Sequence, residues 1–229
     1  MNNAVILLHG ALGNAQQMQP IADLLKSQYQ VFTLNFAGHG GTPFAGEQFT
    51  ITGFAEEVLA YMEANSLEKA HIFGYSMGGY VGLYLARQFP DKVTKVATFA
   101  TKFLWNANSA AKEAGRLNPD KILEKVPEFA RKLQEQHGEQ WKQVLERTAA
   151  MMLNLGVQPD LPLEETVHIT IPVLLGLGDR DTMVSLEETG VVYRMLPEGQ
   201  LLVMPNTPHP FEKVNMQRLA TELSIFFGQ

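Results

Sequence analysis

Six short apolar runs, at residues 5–8, 31–36, 70–74, 93–100, 173–177 and 200–204, limit what this chain can fold into. Each is too short for a helix, rich in Val, Ile, Leu or Phe, and without polar alternation. That is the pattern of strands covered on both faces. The stretches between them carry the longer helical period. Ile21, Leu24 and Leu25 make one apolar stripe. Phe54, Val58, Leu59 and Met62 make another, with Thr52 read as its N-cap. Val81 and Leu85, then Val192, Tyr193 and Leu196, and finally Leu219, Leu223, Phe226 and Phe227 repeat the pattern. Strand–helix–strand repetition predicts an α/β fold: a mostly parallel sheet of about six strands with right-handed crossovers, flanked by helices.

Residues 102–169 break the rhythm. Their apolar side chains recur at helical spacing (Ile122, Val126, Phe129, Ala130, Leu133, then Trp141, Val144, Leu145 and Met152), and Pro119 and Pro127 sit where helices can start or bend. The stretch is far too long for an ordinary crossover. It is read as a helical cap inserted into a core made of residues 1–101 and 170–229. A chain of 229 residues, 45% of them hydrophobic, has the size and core for one such domain with an insertion.

Composition removes several function classes. A net charge of −6 without clustered Lys and Arg leaves no nucleic-acid footprint. The absence of cysteine excludes disulfides, thiolate metal sites and cysteine catalysis, and fits a reducing compartment. The apolar start at residues 4–8 lacks a basic flank and soon meets His9-Gly10. It is therefore not read as a signal peptide. No apolar run approaches the ~20 residues of a membrane span. These points predict a cytoplasmic protein without membrane or nucleic-acid partners.

The chemistry concentrates in His71-Ile-Phe-Gly74-Tyr75-Ser76-Met77-Gly78-Gly79, a Gly-x-Ser-x-Gly pentapeptide between a buried strand and a helix. A serine hydroxyl is a poor nucleophile unless it is exposed to a base and has amide donors beside it. A sharp strand-to-helix turn supplies the exposure, flanking glycines relieve its crowding, and the helix N-terminus directs amide dipoles at developing negative charge.

From His9-Gly10 to the last helix the chain resembles the α/β-hydrolase superfamily, in its Ser-nucleophile, cap-bearing esterase-like branch. The first strand resembles that family's third, so the sheet is expected to lack the two leading antiparallel strands. The resemblance implies a triad in the order Ser, acid, His. Pro172-Val-Leu-Leu-Gly-Leu-Gly178-Asp179-Arg180-Asp181-Thr-Met-Val184 looks like the family's acid segment, and the place of Val184 favours Asp181 over its rival Asp179. His209, in Pro205-Asn-Thr-Pro208-His209-Pro210, stands where the base is expected. Many relatives carry Gly before this His, and Pro208 here should stiffen the loop. His9-Gly10-Ala11-Leu12-Gly13 resembles the oxyanion segment, which implies that the backbone N–H groups of Ala11 and Met77 hold the oxyanion, with His9 structural. Residues 35–42 resemble a structural turn of the family, His39 included.

The resemblance implies ester or thioester hydrolysis through an acyl-enzyme on Ser76, with no metal and no cofactor. A small, largely apolar substrate is expected against Leu12, Tyr75, Trp105 and Met152. Other apolar cap residues (Phe103, Leu104, Met151, Leu155) are read as divided between substrate and packing. Arg116, Arg131 and Arg147 are read as a solvated face. The same triad also serves lyases, C–C hydrolases and haloperoxidases, and a ligand receptor on this fold is a further alternative.

Overall fold

The computed structural model describes residues 4–44, 46 and 49–228. Its strands are β1 (Ala4–Leu8), β2 (Gln30–Thr33), β3 (Ala70–Tyr75), β4 (Val93–Phe99), β5 (Val173–Gly178) and β6 (Gly199–Met204). They form one sheet in the order β2-β1-β3-β4-β5-β6, with all five pairings parallel. The helices are α1 (Gln19–Leu25), α2 (Ile51–Ala64), α3 (Met77–Gln88), α4 (Ala107–Ala114), α5 (Pro119–Lys125), α6 (Pro127–His137), α7 (Trp141–Val157), α8 (Leu186–Met195) and α9 (Met216–Gly228). No helix among the described residues is long and apolar enough to cross a membrane.

Successive strand residues point to opposite faces, so an unalternating apolar strand needs cover on both. Ile6, Leu8, Ile72, Val96, Val173 and Leu175 pack on one face against α2, α3 and the α8 residue Val192. Val5, Leu7, Phe73, Ala97, Phe99 and Leu174 pack on the other against α1 and α9. Burying one such side chain stabilises the fold by about 1.5–3 kcal/mol. The two edge strands depart from the pattern. β2 ends at Thr33 rather than at residue 36, because the Phe36 amide turns to donate to His9 Nε2 at 3.2 Å. In β6, Gln200 and Leu201 are exposed. The helix after residue 50 starts earlier than read: Thr50 is the N-cap, its hydroxyl accepting from Gly53 N–H at 3.0 Å. Thr52 lies inside α2 and donates to Asp160 at 3.0 Å.

Between β4 and β5 the chain contributes α4 to α7 and no strand. Pro119 and Pro127 open α5 and α6, where a missing N–H costs nothing. Ile122, Ala130, Leu133, Trp141 and Leu145 form a small core of their own, while Met151 and Leu155 join the main one. The start of this segment is pinned to α8. Glu188 accepts from the amides of Phe103 at 2.8 Å and Leu104 at 2.7 Å, and its other oxygen pairs with Lys102 at 3.1 Å. Its far end is held by the Tyr80 hydroxyl, which donates to Leu161 O and accepts from Leu161 N–H, both at 3.1 Å.

Candidate active site

The connection from β1 leads to β2 on one side, while β3 lies on the other. The carboxyl ends of β1 and β3 therefore border a crevice of the kind in which open parallel sheets place ligands. Ser76 follows β3 there. Its backbone sits at φ 50° and ψ −115°, a region that L residues rarely occupy. The surroundings fix that conformation. Ser76 N–H donates to Phe99 O at 2.8 Å, and Ser76 O accepts from Gly79 N–H at 3.0 Å and from the Thr101 hydroxyl at 2.9 Å. The glycines are required by close approach. A Cβ on Gly74 would collide with the backbone of Gly78 and Gly79, and one on Gly78 would meet the Leu8 and His9 carbonyls. A Cβ on Gly10 would come within 2.8 Å of the Tyr75 ring and 3.2 Å of Ser76 Cβ, so glycine at 10 lets the loop after β1 close on the serine.

Asp181 and His209 come together from the loops after β5 and β6. His209 Nδ1 donates to Asp181 Oδ2 at 2.7 Å; the Asp181 side chain is 0% exposed and that of His209 13%. Asp181 Oδ1 accepts from Met183 N–H at 2.8 Å and Val184 N–H at 2.9 Å, which holds the carboxylate toward the ring. Asp179 points elsewhere: it is exposed and accepts from Thr207 N–H at 3.2 Å. The two loops are stitched by Arg180 N–H to Thr207 O at 3.1 Å, and a side chain at Gly178 would strike that same carbonyl. With Nδ1 carrying its proton to Asp181, Nε2 of His209 is left as the basic nitrogen. Ser76 Oγ and His209 form no hydrogen bond in this structure. Catalytic contacts of this kind often tighten only with substrate.

The N–H groups of Ala11 and Met77 donate to no other described residue. Both residues border a cavity of about 40 Å³ whose lining also includes Ser76, Lys102, Trp105 and Met152. Met151 and Leu155 wall it from α7, and Tyr80 from α3. The other two residues read as substrate contacts are engaged differently. The Leu12 side chain packs into the small core of the inserted helices. Tyr75 sets its ring 4.7 Å from that of Phe211, tilted by 38°, and donates its hydroxyl to His209 O at 3.0 Å, so it supports the histidine loop. Burial pushes the Tyr75 phenol up, which keeps it a donor. Arg116, in the turn after α4, pairs with Glu113, Arg131 pairs with Glu128 on α6, and Arg147 donates to Gly46 O beside the Phe44 ring.

Sequence reading missed Lys102 and Tyr80. Tyr80 had a signal: it stands four residues after Ser76 on α3, hence on the same face. Lys102 had none, since its ammonium is directed by Glu188, 86 residues away, and by the Trp105 ring at 5.7 Å.

Three buried histidines lie behind the Ala11 loop. His9 donates from Nδ1 to Gly10 O at 2.8 Å and accepts the Phe36 amide at Nε2. His39 stacks on Phe49, and His137 lies 5.7 Å from His39. Burial holds His9 down to about 4, and likewise lowers His39 and His137. Protonation would put charge into the core and remove the acceptor for Phe36 N–H. The folded value lies below the unfolded one of about 6.5, so the unfolded chain takes the proton first as pH falls. Stability should be level above pH 6.5 and decline below it, by about 1.4 kcal/mol per pH unit from His9 alone until pH nears 4. The half-buried carboxyls of Glu57 and Asp160, pushed up by desolvation, oppose part of this. Urea midpoints at pH 7.5, 6.0 and 5.0 check the claim; a flat series would contradict it.

A family model for the alpha/beta hydrolase fold matches residues 3–163. The 3-oxoadipate enol-lactonase 1 of Acinetobacter baylyi is 37% identical over 123 residues, which are 51% of this chain and 46% of that enzyme. The match thus spans less than half the length of that relative. The pimeloyl-[acyl-carrier protein] methyl ester esterase of Aliivibrio salmonicida is 24% identical, over 97% of this chain and 91% of its own. Among solved structures, the enol-lactonase from Burkholderia xenovorans superposes with a TM-score of 0.82 at 16% identity, over 100% of this chain and 92% of that one. At that identity the likeness is one of fold.

Proposed function

This chain belongs to the alpha/beta hydrolase fold family, and from that premise we propose that it is a serine hydrolase cleaving carboxylic esters of small, largely apolar acids through an acyl-enzyme on Ser76. The observation that carries this reading is the 2.7 Å pairing of His209 with the buried Asp181 carboxylate, at the same sheet edge as the strained Ser76 turn and its cavity. The relatives named as a methyl ester esterase and an enol-lactonase support the ester class.

In this reading His209 Nε2 takes the Ser76 proton as Oγ attacks the ester carbonyl. Asp181 fixes the ring tautomer and stabilises the imidazolium. The Ala11 and Met77 amides hold the tetrahedral oxyanion, each donor being worth about 3 kcal/mol. His209 then protonates the departing alcohol, and water repeats the cycle on the acyl-enzyme. Residues 102–169 act as the cap over a core of 1–101 and 170–229, and Trp105, Met151 and Met152 bound the acyl group. The cavity is small and walled largely by apolar side chains, which favours short acyl chains.

A series of p-nitrophenyl esters from acetate to octanoate tests this. We expect a burst, steady turnover, highest kcat/KM on acetate, and a mass increment on Ser76 during turnover. Stoichiometric release followed by silence would instead favour a receptor.

A further inference from the structure

We propose that His137, at the end of α6, is a positioning residue for the oxyanion-binding turn, so that the inserted helices hold the Ala11 amide in place. This rests on the reading that Ala11 N–H receives the oxyanion.

Residues 10–13 form a β-turn closed by Gly13 N–H to Gly10 O at 3.0 Å. Its third residue, Leu12, has φ 61°. Glycine is the usual occupant of a left-handed third position, because a Cβ crowds the backbone there. A leucine needs outside support, and both ends of Leu12 receive it from the inserted segment. Its side chain packs with Ile122, Ala130, Leu133, Trp141 and Leu145. Its carbonyl accepts from His137 Nε2 at 3.0 Å, the sole hydrogen bond to that oxygen among the described residues.

The ring's proton is assigned by its other partner. Gly40 N–H meets His137 Nδ1 at 3.0 Å, and an amide can only donate. Nδ1 is therefore the acceptor, and Nε2–H points at Leu12 O. His137 is buried, and burial lowers its pKa, which keeps this neutral tautomer in place. Gln140, the next anchor along the chain, donates to Gly38 O at 3.0 Å and Thr42 O at 2.8 Å. The 38–42 loop thus keeps a tie without His137. The turn that carries Ala11 keeps none to its main chain from these helices. One imidazole couples the seating of the helices to the direction of an oxyanion donor, and a loosened donor matters most in the transition state.

The test uses the full chain with His137→Leu, His137→Asn, whose shorter amide cannot bridge both partners, and His137→Gln, which can accept and donate. Gln140→Ala controls for general loosening of the latch. With p-nitrophenyl acetate, kcat should fall about 10- to 100-fold in the Leu and Asn variants, with KM changed less than about 2-fold. Gln should recover most of the loss, and Gln140→Ala should keep wild-type kcat. Independently of substrate, amide hydrogen exchange across residues 10–13 should quicken in the Leu or Asn variant while α3 is unchanged. Either one suffices if the other fails to fold. Wild-type kcat with unchanged exchange in a folded variant would overturn the inference. Quickened exchange in a protein that turns over no ester would uphold the coupling and sink the esterase reading instead.

Discussion

Ser76→Ala should lower kcat on p-nitrophenyl acetate by roughly 10⁵- to 10⁶-fold, the loss seen when the nucleophile of a serine hydrolase is removed. The change deletes one oxygen and leaves Cβ where it was. The turn does not depend on that oxygen: its strain is held by Ser76 N–H on Phe99 O and by the Gly79 and Thr101 donors on Ser76 O. Among the described residues, no hydrogen bond is made by Oγ itself. The variant should therefore unfold at the wild-type temperature within a degree or two, and the loss can be read as chemistry. A residual rate above that of water is expected, because the Ala11 and Met77 amides can still polarise a carbonyl in the cavity. A folded Ser76→Ala protein that kept even a tenth of the wild-type rate would force the search for the nucleophile elsewhere in the chain. Mass spectrometry of wild type quenched during turnover supplies the complement, an acyl increment confined to the peptide that holds Ser76.

The local motif was legible because its demands are local. The run before Gly74 is a buried strand, the residues after Ser76 are a helix, and the glycines answer contacts within a few residues or with the adjoining strand end. The parallel sheet of six strands followed in the same way from short apolar runs separated by helical stretches. Side-chain direction was not legible. Leu12 and Tyr75 adjoin the site in sequence, yet one faces the inserted helices and the other supports His209. Their directions are set by partners more than 100 residues distant, His137 for the Leu12 carbonyl and His209 for the Tyr75 hydroxyl. A single sequence carries no trace of such pairs, because periodicity reports the face of an element and not its tertiary neighbour. The edge strands departed for a related reason: their apolar runs read like those of central strands, but β2 is shorter than its run and β6, present where it was read, is less covered because it has one neighbour.

The place of Val184 favours Asp181 over Asp179, Asp181 is the carboxylate that meets His209, and the pair leads to the second large effect. Asp181→Asn should reduce kcat about 10⁴-fold, while Asp179→Asn should stay within about 3-fold of wild type. In the first variant the amide oxygen can still accept from Met183 and Val184 N–H, so the loop keeps its course. The NH₂ group then faces His209 Nδ1, which must become an acceptor. The ring proton moves to Nε2, and the nitrogen that should take the serine proton is already protonated. In the second variant the surviving oxygen still accepts from Thr207 N–H, at an exposed site with no contact to the imidazole. Measuring both variants on one ester, beside their thermal midpoints, separates chemistry from loop stability. A loss at Asp179 equal to that at Asp181 would show that the stitching of the two loops matters more than the tautomer. A loss at Asp179 alone would move the acid to the other carboxylate, and with it the geometry assigned to His209.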